Sequence, residues 1–559
     1  MAKKKRRLSN KPRHPIRSGL RSESSSEAKT KIAKKYHWIS IIILSAIVAS
    51  IFHFSFLNIP DLDSFYYIRL AWLYRTRGLF DVDFPWIQNS VIKNLSSSLW
   101  YGFGLFLIPF TYFDDMVTGI KVAGAFLTIT ALSLYYWVMK RGELQMALLW
   151  PFLLLFSAPN VMYQFLMTRP QLISVALSPL LFSLLINRSA TADRSESEKA
   201  SKNVMPCFLT SLGLVWFHLN FVWLVALILA VITVVVWIVE KRLDWRRITA
   251  VMAGTLLGWL ARPDPLGAAK LLYIQVVQQL LEKQSGVTLL LGLENLPLSS
   301  AVFVRNFIPF TSLWVLAILI MAGVVFLRVN IQSSAKRIHL WSSLALSFVF
   351  FLLTMFVGRR SFNLWAAFGV IFIAGVFTYI ISSFSSRTAR TRRNVAICAI
   401  VGLLIYLAYD STSKTIDTIS RFGYPPNMLK SAALWLKENS QPGDVVFTVN
   451  WSHFSPLFFW NQQNYYVGGL DPIFQYAYDP KLYWKFHHVV TSPLAAKTCA
   501  AAVCSKEMLE DTHDVLVRDF KAKYVVVNKQ QRAAYNFFEN DMRFHKELET
   551  WSEVVYLIK

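Results

Sequence analysis

Long apolar runs constrain this chain more than any other feature. Residues 38–58, 116–138, 221–239, 302–329, 340–357 and 363–383 are each about the length a helix needs to cross a hydrocarbon core of about 30 Å. In lipid the backbone has no water to bond, so such runs must be helical. Hydrophobic residues make up 54% of the chain and charged residues 16%, which excludes a string of ordinary soluble domains. With the shorter runs 144–158, 172–186, 204–217, 248–260 and 394–408, the reading is an α-helical polytopic membrane protein of about 11 spans.

The formal net charge of +25 is concentrated in residues 3–7, 29–35 and 387–393, Lys140-Arg141, 241–247 and Lys336-Arg337. Short basic connections between spans report orientation, because Lys and Arg stay on the cytoplasmic side. No basic stripe interleaved with aromatics accompanies them, so nucleic acid is excluded as a partner. Residues 1–37 are basic and Ser-rich, as expected of a disordered cytoplasmic tail, and are too long for a cleaved signal. Alternation then gives a transmembrane domain over 38–409, with outer loops at 60–115, 159–171, 218–220 and 262–300. Residues 410–559 are placed outside, in the periplasm if the membrane is a bacterial inner (plasma) membrane. There the composition becomes that of a soluble domain. Helical periodicity at 431–439 and short β-branched or aromatic runs at 445–449, 465–467, 524–527 and 554–558 suggest an extracytoplasmic α/β domain with a buried sheet. Cys207 and Cys398 fall within spans. For Cys499 and Cys504, a local disulfide in an oxidising compartment accounts for the pair better than a metal site does.

The first outer loop opens with Asp61-Leu62-Asp63-Ser64-Phe65-Tyr66-Tyr67-Ile68-Arg69. Asp63 is a good N-cap for the amphipathic segment that follows, with Arg75 and Arg77 at its far end and Gly78 to stop it. One carboxylate suffices for a cap. A pair two residues apart can hold a divalent cation such as Mg or Mn, or activate a hydroxyl as general base. Arg69 can meet a carboxylate or a lipid phosphate. Among the basic pairs, Arg359-Arg360 alone falls at an outer edge, where a guanidinium facing a cavity is a functional candidate and a headgroup contact is the alternative. Arg169 precedes Pro170, a helix initiator that accounts for the dipeptide equally well. Glu294 in its loop is either solvated or functional, and His218 beside Asn220 is either a satisfied interfacial histidine or a ligand.

Asp63 followed by two aromatics and Arg69, continuing through Leu79-Phe80 to Trp100-Tyr101-Gly102, resembles the first outer loop of the GT-C superfamily of membrane glycosyltransferases. The likeness is nearest to the oligosaccharyltransferase catalytic subunit, and the plan of spans plus an outer α/β domain is similar too. The resemblance implies that Asp63 is the catalytic aspartate, with Asp61 an addition. It implies that Arg359, Arg360 and Arg169 bind the phosphate of a polyprenyl-phosphate sugar donor, and that Glu294, with Arg69 and His218, orients a glycan, lipid or protein acceptor. It further implies that any metal lies on Asp61, Asp63 and Glu294, and that the transfer inverts configuration. The chain departs from the family in two places. Residues 159–171 contain no acidic pair, and Asn450-Trp451-Ser452-His453 stands where a Trp-Trp-Asp signature is expected. Both count against sequon-type protein glycosylation and against a required metal, and favour a monosaccharide-transferring relative. The competing classes are a flippase or transporter of lipid-linked precursors and a non-catalytic membrane scaffold.

Overall fold

The computed structural model describes residues 19–186, 203–287, 289–327, 333–383, 387–491 and 496–559. The expected linker 187–202 and the first half of the expected disordered tail lie outside them. The second half of that tail is not an arm. A single helix, Gly19–Phe54, carries the chain straight into the first span.

Among the described residues, seven helices are long and apolar enough to cross a membrane: His37–Phe54, Met116–Arg141, Leu219–Glu240, Ile308–Phe326, Ser334–Phe356, Arg359–Ser382 and Arg393–Phe422. The other four expected spans are helical but short. Trp245–Leu260 and Pro170–Leu185 have 16 residues, Val204–Phe217 has 14, and only Trp150–Leu155 forms within 144–158. At 1.5 Å per residue, 16 residues reach roughly 24 Å, short of the core thickness. Two of the four keep exposed apolar faces, with Met205 and Leu209 on Val204–Phe217 and Met252 and Leu256 on Trp245–Leu260. Pro159–Phe165 and Pro170–Leu185 meet at 108°, the bend of a broken span or a re-entrant loop. Gly254 and Gly258 let the short helices pack closely. A Cβ at either glycine would strike the backbone carbonyls of Phe208 and Leu212 on Val204–Phe217, the small-xxx-small device of helix pairs in lipid.

Arg359–Ser382 is the most buried of the seven. Its Trp365 is fully enclosed by Phe307, Phe310, Trp314 and Phe351, and the Tyr135 hydroxyl donates to its Ala367 carbonyl at 2.5 Å. The two arginines expected at an outer edge therefore stand at the end of the bundle's most firmly held helix. At the opposite end Arg141 donates to Asn203 at 2.9 Å and Arg247 to the Leu185 carbonyl at 3.2 Å, which separates the basic connections from the outer loops.

The last long helix runs on from Arg387 to Phe422, past the expected boundary at 409. Its polar second half has tertiary partners: Ser411 and Thr415 donate to the Phe156 and Pro159 carbonyls. The C-terminal domain begins after it, where Tyr424 pairs with Ile59. Its strands are β1 (Val445–Thr448), β2 (Tyr465–Tyr466), β3 (Lys497–Thr498), β4 (Glu510–Asp511), β5 (Ala522–Asn528), β6 (Phe544–Glu549) and β7 (Glu553–Ile558). Five form a mixed sheet in the order β2-β1-β5-β7-β6, parallel at β2-β1-β5 and antiparallel at β5-β7-β6, and β3 pairs with β4. A disulfide joins Cys499 to Cys504. The domain packs directly on the first outer loop. Tyr466 exchanges backbone hydrogen bonds with Trp86 and Gln88, while Phe458 meets Phe84 and Phe459 meets Phe65 edge to face, and Phe458 lies tilted against Tyr66.

Candidate active site

Arg169 is the hub of the site. It stands at the corner of the bent helix pair, with extended backbone, as the cap of Pro170–Leu185. Pro170 has no N–H to leave unpaired in that first turn. Thr168 anchors the corner by donating to the Ile120 carbonyl at 2.9 Å. From there the guanidinium reaches three carboxylates: Asp61 through Nε at 2.6 Å, Asp63 through Nη2 at 2.9 Å and Glu294 through Nη1 at 3.3 Å. Four segments far apart in the chain are tied at this point, because Arg360 Nη2 also donates to Glu294 Oε1 at 2.9 Å.

The two aspartates differ. The Asp61 side chain is 4% exposed and accepts a second hydrogen bond from Ser64 Oγ at 2.6 Å. Tyr163 fixes its approach by donating to the Pro60 carbonyl at 2.5 Å. Asp61 is a structural acceptor. The Asp63 side chain is 29% exposed and lines a cavity. It does not cap the Asp63–Arg77 helix: Leu62 holds that position and no side chain caps it, while Gly78, at φ 125°, ends the helix as expected. Glu294 lies in the turn Leu293–Asn295. Arg359 braces that turn by donating its backbone N–H to Leu296 at 2.8 Å and its Nε to the Leu293 carbonyl.

The cavity is small, about 40 Å³. Asp63, Glu294 and Arg360 give it its charge, Tyr66, Tyr67, Trp100 and Trp451 its aromatic faces, and Gln171, His218, Asn220, Gln275 and Asp471 further polar groups. Burial, reinforced by Asp61 and Glu294 and opposed by Arg169 and Arg360, pushes Asp63 up to about 6. Burial acts the same way on Glu294, but Arg360 and Arg169 overcome it and hold Glu294 down to about 2. Two carboxylates with one cavity and separated pKa values are a usual sign of divided acid–base roles. Burial drives His218 well below the ordinary histidine value, so the imidazole is neutral. Ser174 Oγ lies 2.9 Å from its Nδ1.

Of the residues singled out by sequence, Asp61, Asp63, Arg169, Glu294 and Arg360 form one cluster, and His218 shares their cavity. Arg359 stands behind it as a brace. Arg69 is elsewhere: its buried guanidinium packs over Trp72 and Phe459, 4.8 and 5.1 Å from the ring centres, and it does not line the cavity. Arg169, expected to meet a donor phosphate, has its N–H groups turned to carboxylates. The proposed metal ligands do not fit a cation, because Asp61, Asp63 and Glu294 converge on the guanidinium that fills the point where an ion would sit. Sequence reasoning did not pick out Asp471, Gln275 or Gln171. Asp471-Pro472 was legible only as a helix start, and the glutamines carry no motif.

The bundle, the first outer loop and the C-terminal sheet domain together make this a membrane protein of GT-C-like fold. Two solved structures share that architecture over nearly the whole chain. The arabinofuranosyltransferase AftD from Mycobacteria superimposes with a TM-score of 0.55 at 15% identity, covering 94% of this chain. The oligosaccharyltransferase of Archaeoglobus fulgidus, solved with zinc and sulfate, does so with a TM-score of 0.53 at 11% identity, covering 93% of this chain and 73% of its own. This chain spans 40% of the AftD chain. No protein-family description matches the sequence, and neither does any curated protein. At such identities the likeness establishes the fold.

Proposed function

We propose that the protein is a glycosyltransferase that moves a sugar from a polyprenyl-phosphate donor to a hydroxyl acceptor at the outer face of a bacterial inner membrane. The observation that carries this reading is the pairing, in one cavity of a GT-C-like fold, of a carboxylate tuned to about 6 with a guanidinium. Asp63 is mostly ionised at neutral pH and can take a proton; Arg360 lines the same cavity. The acceptor oxygen attacks the anomeric carbon and its proton passes to Asp63. The bond from that carbon to the phosphate oxygen breaks, and polyprenyl phosphate leaves with the electron pair. Arg360 meets the charge developing on the leaving phosphate, an electrostatic role in a partly dry site. A single displacement inverts the anomeric configuration.

An apolar groove between Val222–Glu240 and Trp245–Leu260 supports a lipid-linked donor. It has a volume of about 820 Å³, is lined by Val225, Leu229, Met252 and Trp259, and begins at Leu219, next to the His218 and Asn220 of the polar cavity. A polyprenyl chain would lie there with its phosphate toward Arg360. The tight Arg169 cluster supports transfer without a metal. The separation of the basic connections from the outer loops supports a cytoplasmic N-terminus and a periplasmic C-terminal domain.

The test is transfer by the purified full-length protein from radiolabelled polyprenyl-phosphate monosaccharides to envelope glycan. Asp63→Asn is expected to lower kcat by about 10²- to 10⁴-fold, the usual worth of a general base. Transfer at the wild-type rate by that variant overturns the reading.

A further inference from the structure

One wall of the cavity is built differently from the charged cluster. Asn220, on the turn before Val222–Glu240, donates Nδ2 to Gln275 Oε1. Gln275 in turn donates Nε2 to Asp471 Oδ2 at 3.1 Å, and all three residues line the cavity. Asp471 Oδ2 accepts this bond, so the Gln275 nitrogen is turned toward Asp471. The Gln275 oxygen then faces Asn220, and Asn220 must present its own nitrogen. What remains is Asn220 Oδ1, a buried acceptor on a residue only 5% exposed, with no hydrogen-bond partner. Gln171 Oε1, on the same cavity, is buried and unpartnered too.

The backbone holds this arrangement by unusual means. Gln275 stands in a π-helical turn, Tyr273–Gln278, a feature that gathers at functional sites. Leu470, just before Asp471, takes left-handed backbone at φ 58°, where a residue with a branched side chain is held only by its surroundings. Gly469 before it lies against the Phe454 ring with no room for a Cβ. The C-terminal domain thus delivers Asp471 to the cavity on a rigid strap.

We propose that Asn220, Gln275 and Asp471, with Gln171, form a hydroxyl-reading wall that holds the sugar ring of a substrate in the same cavity as Asp63. Two buried, unpaired acceptors and a carboxylate call for a ligand rich in O–H donors, and they disfavour an anion. A sugar ring brings vicinal hydroxyls for this wall and C–H faces for the Trp451, Tyr66 and Trp100 rings. The inference rests on the glycosyl-transfer reading of the cavity. The same chemistry suits the donor's sugar or a glycan acceptor.

The test is saturation-transfer NMR on the detergent-solubilised full-length protein, with methyl α-mannopyranoside, methyl β-glucopyranoside and methyl α-arabinofuranoside as probes and undecaprenyl phosphate as the control. At least one glycoside is expected to bind the wild type. Asn220→Ala and Asp471→Asn should each weaken it about five- to tenfold, as loss of one or two buried hydrogen bonds would, with undecaprenyl phosphate affected less than twofold. Asn serves as well as Asp at the helix cap that Asp471 also provides, so that variant keeps its fold, and Gln171→Leu gives an independent reading. In the transfer assay, a raised KM for the lipid-linked sugar assigns the wall to the donor, and a raised KM for the glycan assigns it to the acceptor. Unchanged glycoside affinity in all three variants, or no glycoside binding by the wild type, overturns the wall. If that happens while Asp63→Asn abolishes transfer, the wall alone is wrong. If glycosides bind through the wall and Asp63→Asn transfers normally, the catalytic assignment is wrong instead.

Discussion

Arg169→Gln isolates the part of the site that tunes Asp63. Asp63 titrates near 6 in the presence of the Arg169 cation, so it is about nine-tenths ionised at pH 7. Losing an adjacent guanidinium raises a carboxylate by about 1 to 3 pH units. Taking about 2, the ionised fraction at pH 7 falls to about one-tenth, and kcat falls about tenfold. The loss is recoverable: the acid limb of the pH–rate profile should move from near pH 6 to near pH 8, with the wild-type plateau regained above about pH 9. The same change leaves Asp61 buried without its cation, a cost of about 3–5 kcal/mol, so the profile is also measured with Arg169→Gln in an Asp61→Asn background. Arg169 outweighs Asp61 in setting the Asp63 value, and the acid limb should still move upward. An acid limb that stays near pH 6 in both folded variants would refute the claim that Arg169 sets the ionisation of the base.

Millimolar EDTA should leave transfer unchanged, because Arg169 occupies the point where the three carboxylates would hold an ion; loss of activity restored by Mg or Mn would show that they release it. Arg69→Met should keep kcat and both KM values within about twofold, since its contacts are with Trp72 and Phe459 outside the cavity; a raised acceptor KM would return Arg69 to the site. A double-mutant cycle of Glu294→Gln and Arg360→Gln should give a coupling of about 1–3 kcal/mol in kcat/KM, reflecting their 2.9 Å contact; additive effects would show the pair to be incidental.

Sequence patterning was most informative where one physical property dominated. The long apolar runs became long helices, and strands β1, β2, β5 and β7 lay where the β-branched or aromatic runs placed them. Strand β6 escaped because Phe544–Glu549 is an edge with one buried residue and a charged face, which reads as loop. Patterning also placed Val204–Phe217 and Trp245–Leu260, but not their pairing: Gly254 and Gly258 set these two short helices against each other. At the site, the residue types were legible and their partners were not. Asp63, Glu294 and Arg360 could be nominated from outer loops, but a bent helix pair had to turn Arg169 toward them. That turn depends on the 108° corner at Pro170, which a linear sequence shows only as a proline. Asp471 was hidden for a related reason, since its role depends on which loop the C-terminal domain lays over the cavity.

The division between the two aspartates has a thermodynamic consequence that can be measured apart from activity. Asp63 rises from 3.8 to about 6 on folding, and at 1.36 kcal/mol per pH unit its ionisation opposes folding by about 3 kcal/mol. Below pH 3.8 the residue is neutral in both states and the cost is absent. Between 3.8 and 6 the unfolded chain has released a proton that the folded chain still holds, so the cost grows, and above 6 it is complete. Asp63→Asn removes a charge that the fold resists, and should therefore raise thermal stability at pH 8 while abolishing transfer. The gain should shrink as the pH is lowered toward 4.5. Glu294 does not confuse the comparison in that window, because its depressed value of about 2 gives stability fully present above 4.5 and lost only as the pH falls toward 2. Thermal unfolding of both proteins at pH 4.5 and pH 8 reads the difference directly. If Asn at position 63 destabilises the protein equally at both values, the carboxylate is a structural partner of Arg169 like Asp61. A pH-dependent gain instead marks Asp63 as a group held ionised against the preference of the fold, which a general base requires and a structural aspartate does not.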